Sequence, residues 1–284
     1  MDPAVRLALR KVSHTFPDGT RALVGIDLQV RGGELIGVLG ANGSGKTTLL
    51  TIMDGLERGY QGSVLLDGTE IRELSARRIY GKMGLVFQNP DAQLFAGSVW
   101  EDVAFGPQNM GFGKGEVEER VASALRAVQM EEHARRPIHR LSFGQKKRVC
   151  IAGLLSMGHE ILLLDEPTAG LDPLGEHRMM GLLTKLNRED GVTIVMATHS
   201  VELVPLFLSR LLVLSEGRIK RCGTPAEVFT DPGDMADVQL KLPAIAEVIW
   251  QLREEHGMTF EGLPLTVGEA RRILLEKLDN GRKG

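Results

Sequence analysis

The run Gly40-Ala41-Asn42-Gly43-Ser44-Gly45-Lys46-Thr47 has the residue types and spacing of a phosphate cradle. In the pattern G-x-x-x-x-G-K-[ST], glycines let backbone N–H groups wrap phosphate oxygens. Lys46 reaches the β and γ oxygens, and the Thr47 hydroxyl can ligate Mg²⁺. Thr48 closes the loop. Downstream, Asp165-Glu166 ends the apolar run Ile161-Leu162-Leu163-Leu164. There Asp165 would hold Mg²⁺, through water, and Glu166 would polarise an attacking water. Between the two motifs, Leu141-Ser142-Phe143-Gly144-Gln145 lies just ahead of a helix-like run from Lys146 to Ser156. Its N–H groups and the Ser142 hydroxyl would face outward as a second anion site. A chance glycine loop, or an acidic strand end capping the next helix, is the bland reading of each motif. Their occurrence together favours nucleotide chemistry.

These groups need rigid supports. Leu35 to Leu39 reads as a short buried strand that ends in the glycine loop, and a helix from Lys46 to about Asp54 follows it. Strand, loop, helix is the context a true phosphate loop requires. Further buried strands are expected at Leu85-Val86-Phe87, Ile161 to Leu164 and Val192 to Ala197. Helical periodicity lies between them at Val117, Val121, Leu125 and at Leu182, Leu183, Leu186. Alternating strands and helices imply an α/β fold with a mostly parallel sheet. Val5, Leu7 and Leu9 alternate ahead of a Pro17-Asp18-Gly19 turn, and Leu23 to Val30 alternates after it, which reads as an antiparallel β layer. The stretch from about Asn89 to Ser156 is helix-rich and reads as an inserted helical subdomain. Past Cys222, Pro243 can open a helix with Ile245, Val248, Ile249 and Leu252 on one face, and Gly257 can stop it. Thr266 and Glu269 form a capping box for a second helix through Leu278.

Bulk properties exclude several classes. At 284 residues the chain fits one large domain plus an appendage. A net charge of −3 gives no global reason to bind nucleic acid, and the basic cluster Lys146-Lys147-Arg148 reads as a solvated helix face. Cys150 and Cys222, far apart and outside any ligand pattern, suggest neither a disulfide framework nor a zinc site, and a reducing compartment. The apolar run Leu203 to Leu214 is interrupted by Ser209-Arg210, so a membrane role needs a partner.

From about Leu7 to Cys222 the chain resembles the ABC-type ATPases, in several motifs taken in order. The resemblance implies the P-loop NTPase fold of ABC ATPase type, with a nucleotide-binding domain over 1–224, its helical subdomain over about 89–156, and a small helical C-terminal domain over 225–284. It implies that Gln88 is the Q-loop glutamine touching Mg²⁺ and the attacking water, and that His199 is the switch histidine on the γ-phosphate. Thr168-Ala169-Gly170-Leu171-Asp172 corresponds to the loop along the dimer seam, and Phe16 to the aromatic that stacks on adenine. The bland readings are a satisfied loop histidine and a core phenylalanine. Ser142, Phe143, Gly144 and Gln145 would cap the nucleotide held by a second chain, so catalysis requires a dimer. Phe143 stands where the family usually has glycine, which is compatible with intact backbone donors only if Phe143 needs no positive φ.

One motif set, no long coiled coil and no basic charge disfavour the translation-factor and DNA-repair branches. Gln88-Asn89-Pro90-Asp91-Ala92-Gln93-Leu94-Phe95, Val103-Ala104-Phe105-Gly106-Pro107 and the tail around Gly262 to Thr266 resemble energy-coupling-factor ATPases, those of cobalt transporters in particular. That resemblance implies an ATPase on the cytoplasmic face of the membrane, a homodimer held partly by its helical tail. It implies a transmembrane coupling subunit docking after the Q-loop and a substrate-binding membrane subunit. It implies cobalt as cargo, with nickel or a vitamin as alternatives. The bland reading makes Leu94, Phe95, Trp100 and Phe105 core of the helical subdomain.

Overall fold

Apolar runs that are continuous, not alternating, become strands covered on both faces. In a computed structural model of the protein, residues 4–260 and 262–281 are described. β1 (Val5–Thr15) and β2 (Arg21–Arg31) pair antiparallel across the predicted turn. β3 (Leu35–Leu39) then leaves for a second sheet, while β4 (Tyr60–Leu66) and β5 (Thr69–Glu70) return to complete the first in the order β2-β1-β4-β5. The second sheet gathers β6 (Met83–Val86), β7 (Ile161–Asp165), β8 (Thr193–Thr198) and β9 (Arg210–Ser215) parallel to β3, with β10 (Arg218–Gly223) antiparallel on its edge. Its order is β10-β9-β3-β8-β7-β6. Every residue of β3, β7 and β8 is buried.

The helices follow in chain order. α1 (Lys46–Met53) leaves the glycine loop, and the single turn α2 (Ala76–Ile79) precedes β6. Between β6 and β7 come α3 (Val99–Asn109), α4 (Lys114–Ala127) and α5 (Phe143–Ser156), the predicted helical insertion. Its one strand-like pairing among the described residues is the isolated bridge Ser98 to Pro137. α6 (Pro173–Arg188) links β7 to β8, and the turn α7 (Val204–Phe207) precedes β9. α8 (Pro225–Val228), α9 (Pro232–Ala236), α10 (Ala244–Glu254) and α11 (Val267–Gly281) form the tail.

Successive side chains of the parallel strands divide between two cores, as the pleat requires. Ile36, Val38, Ile161, Leu163, Val195 and Ala197 pack with α1 under the antiparallel layer. Leu35, Leu39, Leu162, Leu164, Ile194 and Met196 pack with the helical insertion and α6, where the predicted Val117, Val121, Leu125, Leu182, Leu183 and Leu186 are all buried. The tail joins this second core through Met235, Val238, Leu240, Leu242, Ala246 and Leu265.

Four local expectations are corrected. The helix carrying the serine-glycine motif starts at Phe143, not Lys146, because Ser142 is its N-cap, in a capping box with Gln145. On α10 the inward face is Ala246 and Ile249 with half-buried Trp250, which rotates Val248 out to 50% exposure and leaves Ile245 and Leu252 half-buried. Lys146-Lys147-Arg148 is not a solvated face. Lys147 is 1% exposed, Lys146 pairs with Asp91 at 2.6 Å, and Arg148 donates to the Val128 carbonyl. The Thr266 to Glu269 cap forms, but the Glu269 carboxylate accepts from the N–H of Leu265 at 2.8 Å, one residue before the N-cap.

Asp54, the C-cap of α1, is 3% exposed, and its Oδ1 has no hydrogen-bond partner. Burial alone pushes its carboxyl up to about 7. The folded state therefore holds this proton more tightly than the unfolded chain. The contribution to stability is fully present below the ordinary carboxylate pKa of 3.8 and is lost as pH rises through about 7. Asp54→Asn is expected to melt increasingly above the wild type as thermal unfolding is repeated at pH values rising from about 4 to about 8. A gap that does not widen would contradict that burial.

Candidate active site

The register of the parallel sheet brings the predicted groups to one rim. Leu39 of β3 lies opposite Thr198 of β8, Asp165 of β7 opposite Ala197, and Val86 of β6 opposite Leu164. The loops leaving these strands therefore emerge side by side at their carboxyl ends, where open α/β sheets bind ligands. They carry Gly40 to Gly45, His199, Glu166 and Gln88 respectively.

The glycine loop passes where side chains cannot. A Cβ on Gly40 would sit 2.4 Å from the Leu214 carbonyl oxygen and from Ser44 Oγ. Gly45, at φ 105°, would place one 2.5 Å from the Ala22 carbonyl oxygen. Lys46 is buried, and its ammonium donates to the carbonyls of Gly40 (2.8 Å) and Ala41 (3.1 Å), 3.7 Å from Glu166 Oε1. The charge is thus held over the loop mouth. A cleft of about 310 Å³ opens there, lined by Phe16, Asn42, Gly43, Gly45, Lys46, Thr47, Thr48, Gln88, Asp165 and Glu166. Thr20, Arg21 and Ala22 also line it and were missed from sequence, although they directly follow the turn after Phe16. Phe16 is 37% exposed and stands edge-on to His14 at 4.7 Å between ring centres, so it is not a plain core residue. Gly40 and Ser44 shape the loop from behind, with Ser44 6% exposed.

Thr47 Oγ1 donates to Asp165 Oδ2 at 2.7 Å. Asp165 Oδ1 is buried without a partner, and burial raises the carboxyl's pKa against the pull of Thr47 and Lys46. A buried carboxylate oxygen left unpaired beside a hydroxyl is costly, and a hard cation with oxygen ligands would satisfy it. The Thr47 and Asp165 pair fits Mg²⁺ on that ground.

Glu166 adopts φ 50°, a left-handed turn that is unusual for a non-glycine residue. The turn aims its 5% exposed carboxylate back toward the loop. Oε2 lies 2.9 Å from His199 Nδ1, a bond that requires the proton on Nδ1.

Ser142, Phe143, Gly144 and Gln145 do not join this cleft. They line a separate cavity of about 420 Å³ with Gly170, Leu171 and Asp172. Phe143 and Gly144 begin α5, where the first N–H groups have no carbonyl partner within the helix. Phe143 is in helical backbone, not at positive φ, and its ring lies 3.0 Å from where a Gly170 Cβ would be. The unusual phenylalanine thus leaves the helix-end donors in place.

A phosphate loop at the rim of a parallel sheet, an Asp-Glu pair beside it and a separate helix-end anion site in an inserted helical subdomain define an ATP-binding cassette. The ABC transporter family matches residues 23–169. An ABC transporter ATP-binding protein of Geobacter sulfurreducens is 62% identical over 98% of this chain and 100% of its own length. The energy-coupling factor transporter ATP-binding protein EcfA of Methanococcus maripaludis is 45% identical over 95% and 97%. The solved structure of cbiO1 from Clostridium perfringens, part of the ABC transporter complex cbiONQ, superposes with TM-score 0.76 at 40% identity, covering 88% of this chain and 100% of that one. The chain belongs to the ABC transporter ATPases and, within them, to the energy-coupling-factor ATP-binding subunits. It binds and hydrolyses ATP.

Proposed function

We propose that this chain works as a homodimer on the cytoplasmic face of a membrane, energising an importer whose cargo is cobalt ion. The observation that carries the dimer is the separation of two anion sites on one chain. The cleft at Lys46 has no Ser142, and the cavity at Ser142 has no phosphate loop. Facing two copies so that each cleft meets the other's Ser142 end would grip each nucleotide from both sides. Phe16 would stack on adenine, the loop N–H groups and Lys46 would hold the phosphates, and Thr48 would sit beside them. Thr47, Asp165 and Gln88 would hold Mg²⁺, which supplies neutralisation of phosphate charge. Glu166 would align and deprotonate the water, with His199 donating to its carboxylate through Nδ1 and, as the doubly protonated imidazolium, to the γ-phosphate through Nε2. Hydrolysis would remove the contact that only the closed dimer makes, so the dimer would reopen.

The membrane partners are argued from surface chemistry. Leu94 is buried, but Phe95 and Phe105, in the segment that follows Gln88, are 66% and 48% exposed and stack edge-on at 4.7 Å. This apolar pair would receive a transmembrane coupling subunit, which in turn engages a substrate-binding membrane subunit. Among the described residues no helix is long and apolar enough to cross a membrane. The cobalt reading rests on the likeness of the segments following Gln88 and around Gly262 to cobalt-transporter ATPases. Co-purification of the full-length chain with its membrane complex, followed by radiolabelled cobalt uptake driven by ATP, tests it. Uptake of nickel or a vitamin in place of cobalt would overturn the cargo, and capture by nucleic acid alone would overturn the transporter.

The tail, 225–284, would add to the homodimer. Val248 is half exposed, and Val267, Leu275 and Leu278 are 73%, 49% and 63% exposed, more apolar surface than two solvated helices require. Val248→Glu with Leu278→Glu is expected to weaken self-association by about tenfold or more while ATP binding per chain is unchanged, since desolvating a carboxylate in an interface is costly. Sedimentation of both chains with and without ATP checks this, and superimposable association curves would refute the role.

A further inference from the structure

Among the described residues, the most deeply buried cation outside the phosphate loop is Lys147, and the catalytic scheme above leaves it unused. It sits one helical turn after Phe143 on the same face of α5. Its ammonium donates to the carbonyl oxygens of Glu166 (2.6 Å) and Ala169 (2.9 Å). Those two carbonyls bracket the turn that follows Asp165, closed by the Ala169 N–H on the Glu166 carbonyl at 3.2 Å. Glu166 opens the turn in a left-handed conformation, and Gly170 leaves it at φ 77°. The Phe143 ring covers Gly170 and lies 5.1 Å from the Lys147 ammonium, shielding it from the cavity at Ser142. One helix therefore carries the outward anion site at its first turn and grips the main chain of Glu166 at its second.

A buried ammonium with two carbonyl acceptors is worth its desolvation only if both bonds are kept. It is a stiff tie, and it fixes the backbone carbonyl of the very residue whose carboxylate must reach the water. Burial drives its pKa down to about 8, against the attraction of the Glu166 and Asp165 carboxylates. The bland alternative is a packing lysine that supports the fold alone.

We infer that Lys147 is a positioning residue: it clamps the 166–170 turn so that the Glu166 carboxylate is aimed at the water, and couples that aim to the position of the α5 end that meets the second chain's nucleotide. The inference rests on reading Glu166 as the base. A shift of α5 as the partner's nucleotide docks would move Lys147, and with it Glu166 of the same chain. Each composite site would thus report its occupancy to the other through one helix.

The test uses the purified full-length chain and steady-state ATP hydrolysis. Lys147→Met keeps the length of the side chain and removes the donor; Lys147→Gln, polar but uncharged and one bond too short to hold both carbonyls, serves where the methionine variant does not unfold cooperatively. Misplacement of a catalytic group by a fraction of its reach is expected to lower kcat by about tenfold to a hundredfold. KM for ATP should stay within about threefold, because no phosphate ligand is touched. In a Glu166→Gln background the same substitution should lower the residual rate by less than about twofold, since the clamp acts only through that carboxylate. A folded Lys147 variant with wild-type kcat, or one whose loss multiplies fully onto Glu166→Gln, overturns the clamp while leaving the base in place. Wild-type turnover in Glu166→Gln alone overturns the base reading first, and the clamp with it.

Discussion

Glu166→Gln is expected to bind ATP and hold it, with turnover lowered by about 10²–10⁴-fold, the range a positioned general base supplies. The amide fits the same space and can keep the His199 contact at Glu166 Oε2, so the left-handed turn and the Lys147 tie should survive. What is lost is a carboxylate able to accept the water's proton. ATP affinity should change by less than about threefold, and a closed ATP-bound dimer should accumulate, visible as a faster-sedimenting species. Hydrolysis at the wild-type rate would remove Glu166 from the base role.

Lys46→Ala is expected to fail earlier, at binding. The ammonium now covers the Gly40 and Ala41 carbonyls as well as offering a charge to phosphate. Its removal deletes a charge-assisted hydrogen bond and leaves two carbonyl dipoles facing the anion. Charged hydrogen bonds contribute about 1.5–3 kcal/mol, so ATP affinity should weaken by roughly tenfold to 150-fold. Calorimetric titration of ATP into the monomeric chain measures this directly. An unchanged dissociation constant would refute the contact.

Much of this site is legible in the sequence because its parts are local. β3, β7 and β8 are runs of continuous apolar residues, and each delivers its chemical group at the next position in the chain. Gly40 and Gly45 mark a backbone so close to neighbouring carbonyls that an added Cβ would lie 2.4 and 2.5 Å from their oxygens, a constraint only glycine meets. The unread parts depend on contacts far apart in sequence. Lys147 sits in a basic triplet whose composition says solvent, and its burial follows only from the approach of residues 166–170 to α5. β4, β5, β9 and β10 have no counterpart among the expected strands: β4 contains Gly62 and Ser63, β5 is two residues long, and β9 begins at Arg210, whose guanidinium is held by Glu34 at 3.0 Å. Phe95 and Phe105 share their composition with core neighbours, and only the fold separates them from Leu94. On α10 the periodicity was right but its phase was not, because Trp250 takes a half-buried place that the aliphatic pattern assigned to Val248.

The shared active site is tested most directly by mixing two dead chains. Lys46→Ala spoils the phosphate loop, and Ser142→Arg places a bulky charge at the helix end that would meet the partner's γ-phosphate. In a heterodimer of the two, one composite site is spoiled twice and the other is whole. ATP hydrolysis by each variant alone should be near background, and the mixture should recover part of the wild-type rate. Heterodimers shown to form by affinity tags, yet hydrolysing no faster than either variant alone, would contradict a site completed in trans.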